Sequence, residues 1–297
     1  MTDQDSGGRF ASAIIRMRRI GQSRWRPWLF GLSAVIFVGG SVAAYSSLPP
    51  EASDPEWLLL GVVALVMVPL SMTANALEHR EIARLAGVDI GIGRAMRTTV
   101  IGTAANLAPM PGAAVVRVLD LKRRGVPNGI AIRVNVAGVL LFLAASGAVL
   151  LVSVGDEAPL LALGGAATTV GAITAAKYVL PGVRLRRTWR LAAVELWTVV
   201  ITAARVWLLL RAFSLPGGWT ASWPIASSYA YAGAVGLFPA GLGIRELFSG
   251  LVAGATIGSV STGFVVSSVD RLVGMAVHAP TAAFFARTGG PHASHEQ

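Results

Sequence analysis

The stretch YAYAGAVGLFPAGLGIRELFSGLVAG, residues 229–254, is apolar along most of its length but is interrupted at its centre. Three helix-breaking residues lie there, namely Pro239, Gly241 and Gly243. The charged pair Arg245-Glu246 follows at once, within the wider apolar range 225–258. Irregular backbone at membrane depth is tolerated only where it is buried in protein or lines a cavity. We therefore predict a broken membrane segment, with a new half-helix beginning at about Ile244.

A second broken segment, residues 97–119, has the same character. Its centre carries one polar and three helix-breaking residues, which are Asn106, Pro109, Pro111 and Gly112. Basic loops lie on both sides of it, so a complete crossing would place one of them outside the cell. We therefore expect a re-entrant hairpin that enters from the cytoplasm, turns at 109–112 and continues as a half-helix from about Ala113.

The remainder of the chain predicts an all-α, polytopic integral membrane protein. Of its 297 residues, 54% are hydrophobic and only 13% are charged, whereas soluble domains carry about 25% charged residues. Six unbroken apolar stretches are long enough to cross a hydrocarbon core of about 30 Å: 27–48, 57–77, 130–154, 159–180, 190–213 and 262–286. The alternative is eight plain spans, in which both broken segments cross completely.

The distribution of charge predicts the orientation of the chain. Its formal net charge is +10, and 20 of the 25 Lys and Arg residues fall in five places: 1–26, 78–97, 117–128, 177–190 and Arg287. The loops 49–56, 155–158 and 214–222 contain no Lys or Arg. Because basic loops stay in the cytoplasm, we expect a plasma (inner) membrane protein with both termini cytoplasmic. The basic excess then requires no nucleic-acid partner.

The order span, span, broken segment, span occurs twice along the chain. We divide the sequence into a basic N-terminal segment 1–26, a first membrane repeat 27–154, a second repeat 159–286 and a tail 287–297. Each repeat has three full crossings, and because three is odd the second repeat is inserted upside down relative to the first. Such inverted repeats are typical of transporters, in which paired interrupted segments mark the binding site.

The two half-helices predict an anion site between them. The first N–H groups of a helix lack backbone partners and carry the positive end of its dipole, which favours phosphate. Arg117 and Arg245 lie near the two helix starts and are our candidates to clamp phosphate oxygens. The other candidate substrate-binding residues are Asn106, Pro109, Gly112, Pro239, Gly241, Gly243 and Glu246. The alternative is that these charges only anchor the protein at an aqueous interface.

Other charged residues lie inside predicted spans, where ionisable groups usually face an interior and have a partner. Arg205 falls near the middle of its span, and Asp270-Arg271 occupies the last one. We assign these three to charge balance or coupling, with Asp270 neutralising Arg205, Arg245 or Arg271. Glu195 is close to the cytoplasmic end of its span, and we expect it to reach the interface.

The residue types and motifs of the sequence do not predict an enzyme. The chain has no cysteine, which excludes disulfides, thiolate metal sites and catalytic cysteines. Its four histidines form no metal set, two of them lying in the terminal tail, and no Ser-His-Asp arrangement or phosphate-binding loop sequence is visible. We therefore expect no enzymatic activity, no cofactor and no metal.

Two motifs resemble the lysylphosphatidylglycerol synthase transmembrane-region family, a flippase-like membrane domain. GTAANLAPMPGAAVVRVLDLKRRG, 102–125, is similar to its first signature, and VGLFPAGLGIRELFSG, 235–250, to its second. Asp270-Arg271 matches a charged pair near the family's end, so the resemblance covers about 27–287. Where the family often has Gly-Glu ahead of the Arg, this chain has Ala113-Ala114, which weakens any role for a carboxylate there.

The resemblance implies a function in lipid translocation. Family members occur fused to a soluble aminoacyl transferase, and since this chain ends ten residues after Arg287, we expect a stand-alone translocator or accessory protein. The hypothesis is a flippase that moves an anionic phospholipid or polyprenyl-phosphate-linked lipid between leaflets by binding its anionic headgroup. The alternatives are a small-solute or ion secondary transporter, and a non-transporting scaffold for a lipid-modifying enzyme. A homo-oligomer or a partner lipid-modifying enzyme stays open.

Overall fold

A computed structural model describes residues 26–48, 54–105, 112–154, 158–180, 185–235 and 243–288. Within these ranges the regular structure is entirely helical. The helices are α1 (Arg26–Ser46), α2 (Trp57–Leu85), α3 (Ile92–Ala105), α4 (Gly112–Arg123), α5 (Asn128–Val154), α6 (Pro159–Val179), α7 (Leu185–Ala212), α8 (Gly218–Val235), α9 (Ile244–Ile257) and α10 (Val260–Thr288). The prediction of an all-α protein is therefore confirmed for the described residues.

Five helices are long and apolar enough to cross a membrane, which confirms the character of a multi-pass membrane protein. They are α2, α5, α6, the part Thr188–Ala212 of α7 and the part Val260–Arg287 of α10. The predicted span 27–48 corresponds to α1, whose apolar part is Ala34–Ser46. Large apolar side chains such as Leu65, Val152 and Leu160 are 79–83% exposed, as expected of surfaces that contact lipid tails.

The two broken segments each form a pair of short helices that pack against one another. Helices α3 and α4 have 14 and 12 residues, which at 1.5 Å per residue is about 21 and 18 Å. Helices α8 and α9 have 18 and 14 residues, or about 27 and 21 Å. All four are shorter than a hydrocarbon core of about 30 Å. The connections 106–111 and 236–242 lie outside the described residues.

The starts of the two half-helices agree with the sequence-based prediction. Helix α9 begins at Ile244, as expected, and α4 begins at Gly112, one residue before the expected Ala113. Gly112 also allows the first pair to close, because a Cβ atom at this position would overlap the backbone carbonyl of Ala105. In each pair, the helix-breaking residues thus separate two short helices that lie in contact.

Helix α7 occupies the centre of the bundle and packs against α2, α5, α8 and α10. Buried apolar side chains of these helices form a continuous core around it, which includes Val63, Val206, Leu209, Ile225 and Val266. Helix α2 contains one π-helical turn, Val63–Met67, between its two α-helical parts. Charged residues carried by the inner faces of these helices are therefore held inside a packed apolar environment.

The contact between α9 and α10 generates the first testable prediction. Gly263 of α10 lies so close to α9 that a Cβ atom there would overlap the carbonyl oxygen of Ser249. We expect Gly263→Ala to reduce the free energy of unfolding by about 1–3 kcal/mol, since overpacking forces backbones apart. Thermal unfolding of the detergent-purified protein, followed by tryptophan fluorescence, measures this loss.

Gly164→Ala in α6 is the matched control, because an added Cβ meets nothing within 4 Å there. We expect this variant to be as stable as the wild type or slightly more so, as alanine is the better helix former. Equal melting temperatures for the two variants would contradict the close packing of α9 on α10.

Candidate functional site

Five charged side chains from three helices meet inside the bundle. Helix α7 supplies Arg205, α9 supplies Arg245 and Glu246, and α10 supplies Asp270 and Arg271. We call this set the central cluster. Asp270 and Glu246 are buried, and their ion pairs connect all three helices. The cluster therefore contains five of the residues that the sequence proposed for substrate binding, charge balance or coupling.

Asp270 is shared between two arginines. Its Oδ1 accepts a hydrogen bond from Arg205 Nε at 2.8 Å and a second from Arg205 Nη2. Its Oδ2 accepts one from Arg245 Nη2. Arg205 Nη1 also donates to Ser71 Oγ of α2 at 2.9 Å. Of the three arginines that the sequence offered as partners of Asp270, the structure pairs it with Arg205 and Arg245.

Glu246 holds Arg271 and the start of α9 at the same time. Its Oε1 accepts from Arg271 Nε at 2.7 Å, and its Oε2 accepts the backbone N–H of Gly243 at 2.8 Å. Gly243 adopts a positive φ of 80°, a conformation that glycine reaches without steric cost. The N–H of Gly243 was expected to be open to a bound anion, but the protein's own carboxylate already occupies it.

The central cluster lies well inside the ends of the helices that carry it. Arg205 is seven residues before the end of α7, and Asp270 is ten residues after the start of α10. At 1.5 Å per residue these positions are about 10 and 15 Å inside the helix ends. Charged groups at such depth are retained only with partners or with a functional pathway, and the ion pairs supply the partners.

The accessible side of the central cluster is cationic. The side chains of Asp270 and Glu246 are 0% exposed, whereas those of Arg205 and Arg245 are 11% and 21% exposed. Three guanidinium groups against two carboxylates leave a formal charge of +1. The guanidinium carbon of Arg245 lies 3.5 Å from the centre of the Tyr229 ring, a cation–π contact that fixes its plane. This arrangement can attract an anion.

A second set of charges, the Glu195 cluster, consists of Glu78 of α2, Arg117 of α4 and Glu195 of α7. Arg117 donates to both carboxylate oxygens of Glu78, at 2.6 Å from Nη1 and 2.9 Å from Nη2. This is the bidentate geometry that makes arginine–carboxylate pairs strong. Arg117 thus binds the carboxylate of Glu78, whereas the sequence proposed that it binds a phosphate.

The expected position of Glu195 at the aqueous interface is wrong. The residue is only 1% exposed, because it faces the interior of the bundle, where Glu78 and Arg117 act on its charge. Helix α7 begins at Leu185, so Glu195 lies about 15 Å inside that end.

Asp120 ties the end of α4 to α2 beside this cluster. Its Oδ2 lies 3.2 Å from His79 Nε2, and Arg124 Nη2 donates to its Oδ1 at 3.2 Å. Burial alone would raise the pKa of Asp120, but the hydrogen bonds with His79 and Arg124 outweigh it and lower that pKa. The pair fixes the helix that carries Arg117.

The structure does not describe four of the predicted substrate-binding residues, since Asn106, Pro109, Pro239 and Gly241 lie outside the described ranges. Sequence reasoning missed three participants, which are Ser71, Glu78 and Tyr229. The predicted span ended at 77, whereas α2 continues to Leu85, so Glu78 was counted with the cytoplasmic loop. Across the described part of the chain, no group of three or more histidines and carboxylates is arranged to hold a metal ion.

No protein-family model matches this sequence, and comparison with curated proteins finds no match.

The shared carboxylate of the central cluster generates the second prediction. Asp270→Asn leaves Arg205 and Arg245 facing each other without their counter-charge. Breaking a buried ion pair by removing one partner costs about 3–5 kcal/mol, and we expect a loss of this size in thermal unfolding of the purified protein. Asp54→Asn is the control because Asp54 is exposed. A melting temperature of Asp270→Asn equal to that of the control would refute the proposed role of Asp270.

Proposed function

We propose that this protein is a flippase-like membrane transporter that moves an anionic phospholipid or a polyprenyl-phosphate-linked lipid between leaflets. The observation that carries the proposal is the central cluster, in which buried carboxylates hold three arginines and leave a partly exposed cationic side at membrane depth. A phosphate group fits such a site because guanidinium groups bind its oxygens in pairs. The lipid tails stay in the bilayer, so only the headgroup needs a polar path.

The ion pairs suggest how a headgroup enters the central cluster. Asp270 has two arginine partners, Arg205 and Arg245. Arg245 can therefore turn towards a phosphate while Asp270 stays paired with Arg205, so no buried carboxylate is left without a partner. Arg245 is also the more exposed of these two arginines. We assign to it the first contact with the headgroup.

The order of helices supports the proposed inverted repeat. In the first half, α1 and α2 precede the short pair α3–α4, and α5 follows. In the second half, α6 and α7 precede the short pair α8–α9, and α10 follows. We propose six spans and two re-entrant hairpins, the first entering from the cytoplasm and the second from the outside, with both termini cytoplasmic. The family resemblance in residues 102–125 and 235–250 points to the same architecture and to lipid as the substrate.

Cysteine labelling tests this topology, since the natural chain contains no cysteine. Single cysteines at Gly93 and Asn128 flank the first hairpin, and both positions are exposed. A re-entrant hairpin places both in the cytoplasm, so a membrane-impermeant maleimide should label them only after the cells are permeabilised. Asp54→Cys is the control for the outer side and should react in intact cells. Labelling of only one of the two flanking cysteines in intact cells would support eight plain spans.

Arg245→Gln tests the proposed substrate contact. Purified protein is reconstituted into vesicles with fluorescent phosphatidylglycerol, and flipping is measured by the fraction that external dithionite quenches. A hydrogen bond to a charged group contributes about 1.5–3 kcal/mol, so we expect roughly tenfold slower flipping or more. The variant should still fold because Asp270 keeps Arg205 as its partner.

Arg287→Gln is the matched control, since Arg287 is an exposed arginine near the cytoplasmic end of α10. We expect this variant to flip lipid at the wild-type rate. Equal rates for Arg245→Gln and the wild type would remove Arg245 from the site. A wild-type protein that flips neither phosphatidylglycerol nor a polyprenyl-phosphate-linked lipid would overturn the proposed function itself.

A further inference from the structure

The Glu195 cluster contains one more carboxylate than its arginine can neutralise. Both terminal nitrogens of Arg117 donate to Glu78, and Nη2 also approaches the backbone carbonyl of Asn75 at 3.4 Å. Glu195 is the second carboxylate, and its Oε1 is buried without a hydrogen-bond partner among the described residues. Ionised, the three groups would carry a net charge of −1 in an apolar interior.

Among the residues that the structure describes, the surroundings of Glu195 offer it no further cation. The charges that act on it are those of Glu78 from α2 and Arg117 from α4. Helix α5 also packs against α7, and its one charged residue, Arg133, is not among the groups that act on Glu195. The titratable groups of α8 and α10 face other partners or solvent. They are Tyr229 beneath Arg245, Tyr231 near Thr168, Asp270 and Arg271 in the central cluster, His278 on the carbonyl of Gly274, and the exposed Arg287.

An isolated carboxylate in an apolar interior is so costly that the group takes up a proton instead. Glu195 meets this condition, being 1% exposed with its Oε1 buried and without a hydrogen-bond partner among the described residues, while the arginine that acts on it is already engaged in a bidentate pair with Glu78. We propose that Glu195 is a proton-binding site, and that Glu78 beside it takes up a second proton when an anionic headgroup binds at Arg117. The coupling rests on the proposed function, whereas the proton site follows from the cluster itself.

Charge balance gives the reason for the coupling. An anion that takes Arg117 releases Glu78, and two carboxylates would then lie side by side without a cation. Glu195 already carries a proton, so a second proton, on Glu78, restores neutrality. When the anion leaves, Arg117 returns to Glu78 and that second proton departs. One proton thus moves with each anion, and no bond is made or broken except the O–H bond of a carboxyl group.

Infrared spectroscopy tests the proton site without any lipid substrate. A protonated carboxyl group has a C=O stretching band that shifts when the protein is transferred to heavy water. We expect this band in the wild-type protein near neutral pH, its loss in Glu195→Gln, and its retention in Glu56→Gln, the control at an exposed position. Absence of the band in the wild type, or an unchanged band in Glu195→Gln, would overturn the proposal.

A pH gradient across vesicles tests the coupling. Wild-type protein is reconstituted with fluorescent phosphatidylglycerol, the membrane potential is clamped with valinomycin and equal potassium, and the leaflet distribution is measured at steady state. One proton per lipid and a gradient of about one pH unit give up to about tenfold accumulation in one leaflet. Glu78→Gln lacks the group that takes up the second proton, so the lipid that it flips should reach equal amounts in the two leaflets, and Glu56→Gln should accumulate it as the wild type does.

The outcomes separate this inference from the function on which the coupling rests. A wild-type protein that shows the carboxyl band but flips no lipid would contradict the transport proposal and leave the proton site standing. A wild-type protein that flips lipid with equal leaflets under the gradient would refute the coupling alone. Accumulation that persists in Glu78→Gln would place the coupled proton elsewhere and remove Glu78 from this role.

Discussion

The arrangement of the bundle depends on the ion pairs that the carboxylate of Asp270 forms. It lies in an apolar core and holds arginines from two different helices, Arg205 of α7 and Arg245 of α9. Through the bond from Arg205 to Ser71, helix α2 joins the same network. Because none of these charges is tolerable alone at this depth, α2, α7, α9 and α10 are constrained together. The apolar contacts around α7 have no such directional requirement and adapt to the positions that the charges set.

The two charged clusters neutralise their buried arginines in different ways. Each short helix pair brings an arginine into the bundle near the start of its second helix, Arg117 in α4 and Arg245 in α9. Arg117 is held by a bidentate carboxylate of its own, with a further acid beside it. Arg245 instead shares its carboxylate with a second arginine. One cluster is therefore rich in acid, which suits it to bind protons together with an anion, and the other is rich in base and carries a net positive charge.

Much of this organisation follows from the sequence, because its causes are local. The Pro and Gly residues before Ile244 end one helix and permit the next, and an aspartate inside a predicted span requires a basic partner. The choice of partner depends on the rotation of each helix about its axis, which composition does not reveal. Glu195 shows this limit, since its distance from the span end suggested water while its face of α7 points inward. Glu78 was missed for a similar reason, because α2 continues beyond its apolar part.

The π-helical turn Val63–Met67 in α2 bears on how that helix presents its polar residues. Such a turn accommodates one residue more than an α-helix of the same length, and one residue corresponds to a rotation of about 100°. The residues after Met67 are therefore rotated about the helix axis by about 100° relative to their positions in an uninterrupted α-helix. Ser71 and Glu78 owe the face they occupy to this change of phase. Deleting one residue from this turn would rotate Ser71 and Glu78 towards different neighbouring helices. The number of residues between Val63 and Ser71 is therefore as necessary to the site as its charged groups.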